Sequence, residues 1–266
     1  MRNGRSMKSM CAPKRVAVIV TTYQNSQALQ AALASLVKQT RLPDQVLIAD
    51  DGSSQHVAAV FARFDHQLNL VRCWQPDRSF RASRARNLAA MRANCDYLIF
   101  IDGDCLAPPH FVAAHVRLAD SKYLVSGGRV LLDANQSKYC MDLPDDADAL
   151  MDHWKFWDLP LGILRDVRPR AWRQARTCNL GLPREAWLQI GGFDESYIGW
   201  GLEDSDFVVR ALHAGCRIRN GRMATTVAHL AHREESREAV SLNQQRLELT
   251  LATQRVQPVK TSVPFQ

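Results

Sequence analysis

Apolar residues fall in short unbroken runs at intervals of about 25 residues over the first half of the chain: "RVAVIVT" (15–21), "QVLIAD" (45–50), "LNLVRCW" (68–74) and "YLIFID" (97–102). Continuous β-branched runs of this length predict strands buried on both faces. Between them the spacing changes to three and four. Leu29, Leu33, Leu36 and Val37 predict a helix that Ser26 can cap, "QHVAAVFARF" a second and "RASRARNLAAMRANC" a third. Strand and helix alternate to about residue 120, which predicts an α/β fold with a mostly parallel central sheet flanked by helices. Beyond that the pattern loosens. Residues 133–173, rich in Trp, Asp and Pro, read as a loop and helix segment with the character of a lid, and 234–256 as an amphipathic helix followed by a frayed tail.

Ligands of such sheets sit beyond the C-terminal ends of the strands. Those ends read Thr21-Thr22-Tyr23, Asp50-Asp51-Gly52-Ser53 and Asp102-Gly103-Asp104. Asp102 and Asp104 alternate with a glycine that permits close approach. In an extended segment both therefore address one side, and oxygen ligands suit a hard divalent cation. The same triplet also serves as a plain turn. Asp50 or Asp51 can accept a uracil N–H while Tyr23 stacks on the ring. Further on, "GGFDESYIGWGLEDSDF" (191–207) sets Glu203, Asp204 and Asp206 behind a Gly-Trp-Gly turn, a reactive constellation or simply the acidic first turn of a helix.

Composition narrows this picture only a little. The 266 residues are 46% hydrophobic and 23% charged, with a net charge of +7, which suits an anionic ligand such as a nucleotide. No long basic run or nucleic-acid motif accompanies that charge, so nucleic acid is not expected as a partner. Seven cysteines in no paired spacing imply neither a disulfide framework nor structural zinc, and no run is long enough to span a bilayer. The expected location is the cytoplasm, with peripheral association at the inner face of the membrane left open. The glycine-rich fingerprint of a dinucleotide oxidoreductase is missing after the first strand, where "VTTYQNS" stands.

Together "VIVTTYQNS", "VLIADDGSS", "RARNLA", "YLIFIDGDC", "TCNLGLPREAW", "GGFDESYIGWGLEDSDFVVRALHAG" and "VAHLAH", in that order, resemble the inverting GT-A fold glycosyltransferases of family 2, nearest to bacterial chondroitin-polymerase-type modules with a C-terminal galactosyltransferase motif. The resemblance implies a glycosyltransferase domain over 14–233, with a nucleotide-binding half (14–130) and an acceptor-binding, catalytic half (131–233). A flexible N-terminus (1–13) precedes it and a C-terminal helix and tail (234–266) follow. It implies a UDP-sugar donor, a glycan or lipid-linked saccharide acceptor and Mn²⁺ or Mg²⁺.

Asp204 becomes the general base and Glu203 its neighbour toward the acceptor. Asp102, Asp104 and His229 become the metal set, with His232 competing for the last place. Thr21, Tyr23, Asp50, Asp51, Arg81, Arg84, Asn87, Asp102 and Asn179, the last expected at the end of a strand, fall on the nucleotide-sugar side. The three-residue spacing of Arg81, Arg84 and Asn87 suggests one helical face. Trp200 is expected to stack on the acceptor; Trp154 and Trp157 are candidates for that role or for the core. A sugar nucleotidyltransferase would share the sheet and the metal logic but opens with a glycine-rich basic loop, and a noncatalytic sugar-binding module would not need Asp104, Asp204 and a histidine together.

Overall fold

The computed structural model describes residues 13–145, 169–232 and 236–264. Its first strand, β1 (Val16–Thr22), is filled from both sides, as its continuous apolar run requires. Val16, Val18 and Val20 belong to one core with Leu29, Leu33 and Leu36 of α1 (Ser26–Val37). Each fully buried leucine there stabilises the fold by about 1.5–3 kcal/mol. Next come β2 (Gln45–Asp50), α2 (Gln55–Phe64), β3 (Leu70–Trp74), α3 (Ala82–Arg92) and β4 (Tyr97–Asp102). Ala17 and Ile19 of β1 face the second core, in which α3 contributes Ala85, Ala89 and Ala90.

The chain continues through β5 (Cys105–Leu106), α4 (Phe111–Leu118), β6 (Tyr123–Ser126), β7 (Arg129–Leu131) and α5 (Ala134–Asp142). A 3-10 helix (Pro169–Gln174), β8 (Asn179–Pro183), α6 (Arg184–Gln189), α7 (Glu203–His213), β9 (Arg217–Asn220), β10 (Val227–His229) and α8 (Val240–Thr253) complete it. Seven strands form the main sheet in the order β3-β2-β1-β4-β8-β6-β9. Its strands run parallel except β8, which is antiparallel to both β4 and β6. A small second sheet, β5-β10-β7, places His229 opposite Cys105 and hence beside Asp104.

Three local expectations need correcting. Asn25, one residue before Ser26, caps α1 by accepting from the Ala28 N–H, because Ser26 is already the first helical residue and the cap must sit just outside the helix. Asn179 begins a strand instead of ending one. The tail is not frayed over its described length. Val259 N–H and Lys260 N–H donate to Asp194 (2.8 and 3.3 Å), Ser262 donates to Glu195 through N–H and hydroxyl, and Val263 is buried in the core that holds Trp187. Of the proposed lid, residues 134–142 are helical and 169–174 form the 3-10 turn; Trp154 and Trp157 lie outside the described residues.

Candidate active site

The strand register brings the acids together. Thr21 pairs with Asp102 and Thr22 with Asp50, so three strand ends open on one rim of the sheet. Gly103 passes close behind Thr21: its N–H donates to the Thr21 carbonyl at 2.7 Å, and a Cβ there would lie 3.0 Å from that oxygen. The tight crossing turns the chain so that Asp104 meets β10.

Asp104 has both histidines beside it. His229 Nε2 is 3.4 Å from Oδ1 and His232 Nε2 is 3.5 Å from Oδ2, with the rings 5.1 Å apart. Burial, then repulsion from Asp102, raises the Asp104 carboxyl above the usual range, and the histidines oppose that rise. Asp104, Cys105 and His229 bring ligand atoms within 4.8 Å of one another. The Cys105 thiol is fully buried, and burial first of all pushes its pKa well up, so it is a protonated thiol and a poor ligand. A carboxylate with two imidazoles fits a divalent transition-metal cation such as Mn²⁺ better than Mg²⁺, which takes oxygen ligands. His229 and His232 thus both stand at Asp104.

The ends of β1 and β2 bound a cavity of about 370 Å³ lined by Tyr23, Asp51, Asp77, Phe80, Gly199 and Trp200 among others. Tyr23 is 48% exposed and donates to Asp77 Oδ2 at 2.9 Å, an interaction that raises its pKa. Asp51 accepts from Gln75 Nε2 (2.5 Å) and Arg81 N–H (2.6 Å), and burial raises its carboxyl. Asp50 is a different case. It is fully buried, paired with Arg72 at 2.6 Å and bonded by Ser53 N–H, so it holds the turn and offers a ligand nothing.

The α7 start partitions its three acids. Leu202 caps the helix at φ 72°, a left-handed conformation that a non-glycine residue holds only when its surroundings compel it. Asp206 is buried in the interior, where it binds Arg210 Nε (2.7 Å) and accepts from Thr250 Oγ1 (2.7 Å). Glu203 faces Arg86 Nη1 at 3.0 Å. Asp204 keeps 14% of its side chain open, lies 3.8 Å from Arg176 Nε and accepts from Ser205 N–H. Burial, with Glu203's charge adding, pushes Asp204 up to about 6 against the pull of Arg176 and Arg86. A carboxylate so poised can accept a proton near neutral pH.

Several assigned residues are engaged elsewhere. Asn87 is fully buried and clamps the 191–195 loop, donating to Phe193 O and Glu195 Oε1 and accepting from Phe193 N–H. Asn179 lies 3.0 Å from His115 Nε2 through Oδ1 and donates to the Gly128 and Thr225 carbonyls, so its amide serves the sheet junction. Arg84 and Asn87 share a face of α3, both reaching Glu195 (3.9 Å from Arg84 Nε and 2.9 Å from Asn87 Nδ2), whereas Arg81 is the residue before the helix and falls outside that face. Arg81 precedes the helix with a buried Nε that has no hydrogen-bond partner, and Arg84 Nη1 donates to Gln75. Trp200, 42% exposed, lines the same cavity as Tyr23. Its ring stands at the wall of that cavity, with Tyr23 and Asp51 also lining it.

The residue that sequence reasoning passed over is Arg86. It sits among the buried alanines of α3 and joins Thr21, Asp102 and Glu203. A charged side chain inside the small-residue stripe "ARNLAA" was the available signal.

Residues 17–161 match the glycosyl transferase family 2 domain, and residues 166–233 match a domain described as the N-terminal domain of galactosyltransferase. Validoxylamine A glucosyltransferase of Streptomyces hygroscopicus subsp. limoneus is 28% identical over 219 residues, 75% of this chain and 48% of that protein. Escherichia coli chondroitin synthase is 25% identical over 240 residues, 79% of this chain and 34% of that one. The chain thus spans about half the length of these relatives or less. Among solved structures, S. aureus TarS 1-349 in complex with UDP superposes with a TM-score of 0.64 at 17% identity, covering 88% of this chain and 64% of that one. The mannosyltransferase PcManGT of Pyrobaculum calidifontis, in complex with GDP-Man and Mn²⁺, gives 0.60 at 18%, covering 96% and 66%. At these identities the likeness concerns the fold.

Proposed function

The chain belongs to glycosyltransferase family 2, and from that premise we propose that it moves a hexose from a UDP-sugar, with inversion and with Mn²⁺ or Mg²⁺, onto a hydroxyl of a bacterial surface glycan or lipid-linked acceptor. One observation carries the reading. The Asp102 end and the Glu203-Asp204 end meet through a single guanidinium, Arg86, 3.3 Å from Asp102 and 3.0 Å from Glu203, so a cation-binding turn and a poised base share one site.

Tyr23 and Asp51 form the uracil end, Trp200 at the wall of the same cavity stacks on the acceptor, Arg81 and Arg84 stand on the diphosphate side, and Asp102 serves the ribose or the cation. Asp102 and Asp104 with His229 or His232 would hold the cation, which when bound supplies Lewis-acid stabilisation of the departing diphosphate. Asp204 takes the acceptor hydroxyl proton as that oxygen attacks the anomeric carbon opposite the nucleotide, and one displacement of this kind inverts the centre. Arg176, beside Asp204, keeps enough of the base ionised for this near neutral pH. On this reading residues 14–130 are the nucleotide half and 131–233 the acceptor half.

A panel of UDP-, GDP- and ADP-hexoses assayed for nucleotide release, with and without saccharide acceptors, tests the proposal. Slow hydrolysis of a UDP-hexose, abolished by EDTA and restored by Mn²⁺, is the expected result. Undiminished turnover in chelator, or a preference for GDP- or ADP-sugars, would contradict it.

A further inference from the structure

Arg86 is a full positive charge with only 4% of its side chain open to solvent. Its guanidinium serves three elements: Nε donates to Thr21 Oγ1 on β1 (3.1 Å), Nη2 to Asp102 Oδ1 on β4 (3.3 Å) and Nη1 to Glu203 Oε1 on α7 (3.0 Å), with the Phe193 ring 5.7 Å away. Burial disfavours its charge, but Asp102 and then Glu203 outweigh that and raise its pKa. The two carboxylates are not equivalent. Asp102 is the more distant and the more open, 30% exposed against 10% for Glu203, and it is the one that feels the charge of Asp104.

We infer that Arg86 is an internal counter-cation and positioning residue shared between Asp102 and Glu203, and that a divalent cation arriving at Asp102 and Asp104 displaces it toward Glu203. Cation occupancy is thereby tied to the start of α7, where Asp204 stands. The inference rests on the cation site of the reading above. Two cations competing for one carboxylate in a low-dielectric setting repel each other, and linkage makes the effect reciprocal. Whatever strengthens the hold of Arg86 on Asp102 weakens cation binding, and whatever removes Arg86 strengthens it.

Calorimetric titration of Mn²⁺ into the whole chain at a fixed UDP concentration measures this directly, without turnover. Glu203→Gln leaves Arg86 a single full carboxylate and is expected to weaken Mn²⁺ binding at least about 2-fold, the low end of couplings within one network. Arg86→Met is expected to tighten it, and Glu203→Gln added to Arg86→Met to change it less than about 1.5-fold, since the intermediary is gone. An equal loss in both backgrounds would mean that Glu203 acts through its own field, and no loss in either would mean that Arg86 is structural only; both overturn the inference while leaving the glycosyltransferase reading intact. A wild-type chain that binds no Mn²⁺ overturns the cation site and the inference together. Should Arg86→Met melt below the assay temperature, Arg86→Lys takes its place in the cycle, because a single ammonium cannot fork across two carboxylates. In that background the Glu203→Gln effect is expected to fall by at least about half, and its persistence at full size overturns the inference.

Discussion

Asp204 shows how much a single carboxylate can be asked to do. Its neighbours pull in opposite directions: burial and Glu203 favour the proton, Arg176 and Arg86 favour the charge, and the balance lies at about 6. If it is the base, Asp204→Asn keeps the shape and the acceptor for Ser205 N–H but cannot accept a proton, so turnover is expected to fall at least about 100-fold with UDP affinity nearly unchanged. Wild-type turnover is expected to drop as pH falls through about 6, where the carboxylate protonates. Stability moves the other way. Because the folded-state pKa lies above the unfolded value near 4, the stability this group contributes is full below that value and lost as pH rises through about 6. The melting temperature of Asp204→Asn relative to wild type is therefore expected to rise between about pH 4 and about pH 7.5. Rates, UDP affinity and melts on this one variant decide the matter, and near-normal turnover in a stable protein would return Asp204 to a purely structural place in the acidic first turn of α7.

At the scale of elements, the GGFDE turn (191–195) is held from three directions. Asn87 of α3 grips Phe193, Arg210 of α7 donates to the Ile190 and Gly192 carbonyls, and the tail binds Asp194 and Glu195. Phe193 from this turn lies under Arg86, so the turn supports the site through that guanidinium. Removing residues 258–266 exposes the Val263 pocket and strips two buried acids of backbone donors. The expected loss of about 2–3 kcal/mol translates to roughly 5–10 °C in Tm, with faster amide exchange in 191–195. An unchanged melt would show that the tail merely rests on the surface. The acidic first turn of α7 and its basic last turn, Arg210 and His213, also follow the helix dipole, as the sequence reading of an acidic first helical turn implies, even though its acids serve different ends.

For the whole molecule, three parallel strand ends supply one half of the site and a helix from the far end of the chain supplies the other. A ligand that binds only the assembled fold stabilises it. UDP is therefore expected to raise Tm more than equal concentrations of GDP or ADP, given a cavity with Tyr23, Trp200 and the Asp51 carboxylate at its wall. Equal shifts for all three nucleotides would remove the basis for naming a uridine donor. Apolar periodicity alone was enough to locate β1 to β4 and α1 to α3, nearly to the residue, because a strand buried on both faces and a helix buried on one face write those burials into neighbouring positions. The same local record exposed Asp102, Asp104 and the Glu203-Asp204 pair, and motif order carried the family. It could not divide the labour within each acidic cluster. Asp50 from Asp51, and Asp204 from Glu203 and Asp206, are distinguished by partners such as Arg72, Arg176, Arg210 and Arg86, the last 117 residues from the carboxylate it meets. Charge pairing is a property of neighbours in space; only the folded sheet, by setting Thr21 against Asp102 and α7 across from α3, decided which acids were neutralised inside the protein and which were left facing the cavity.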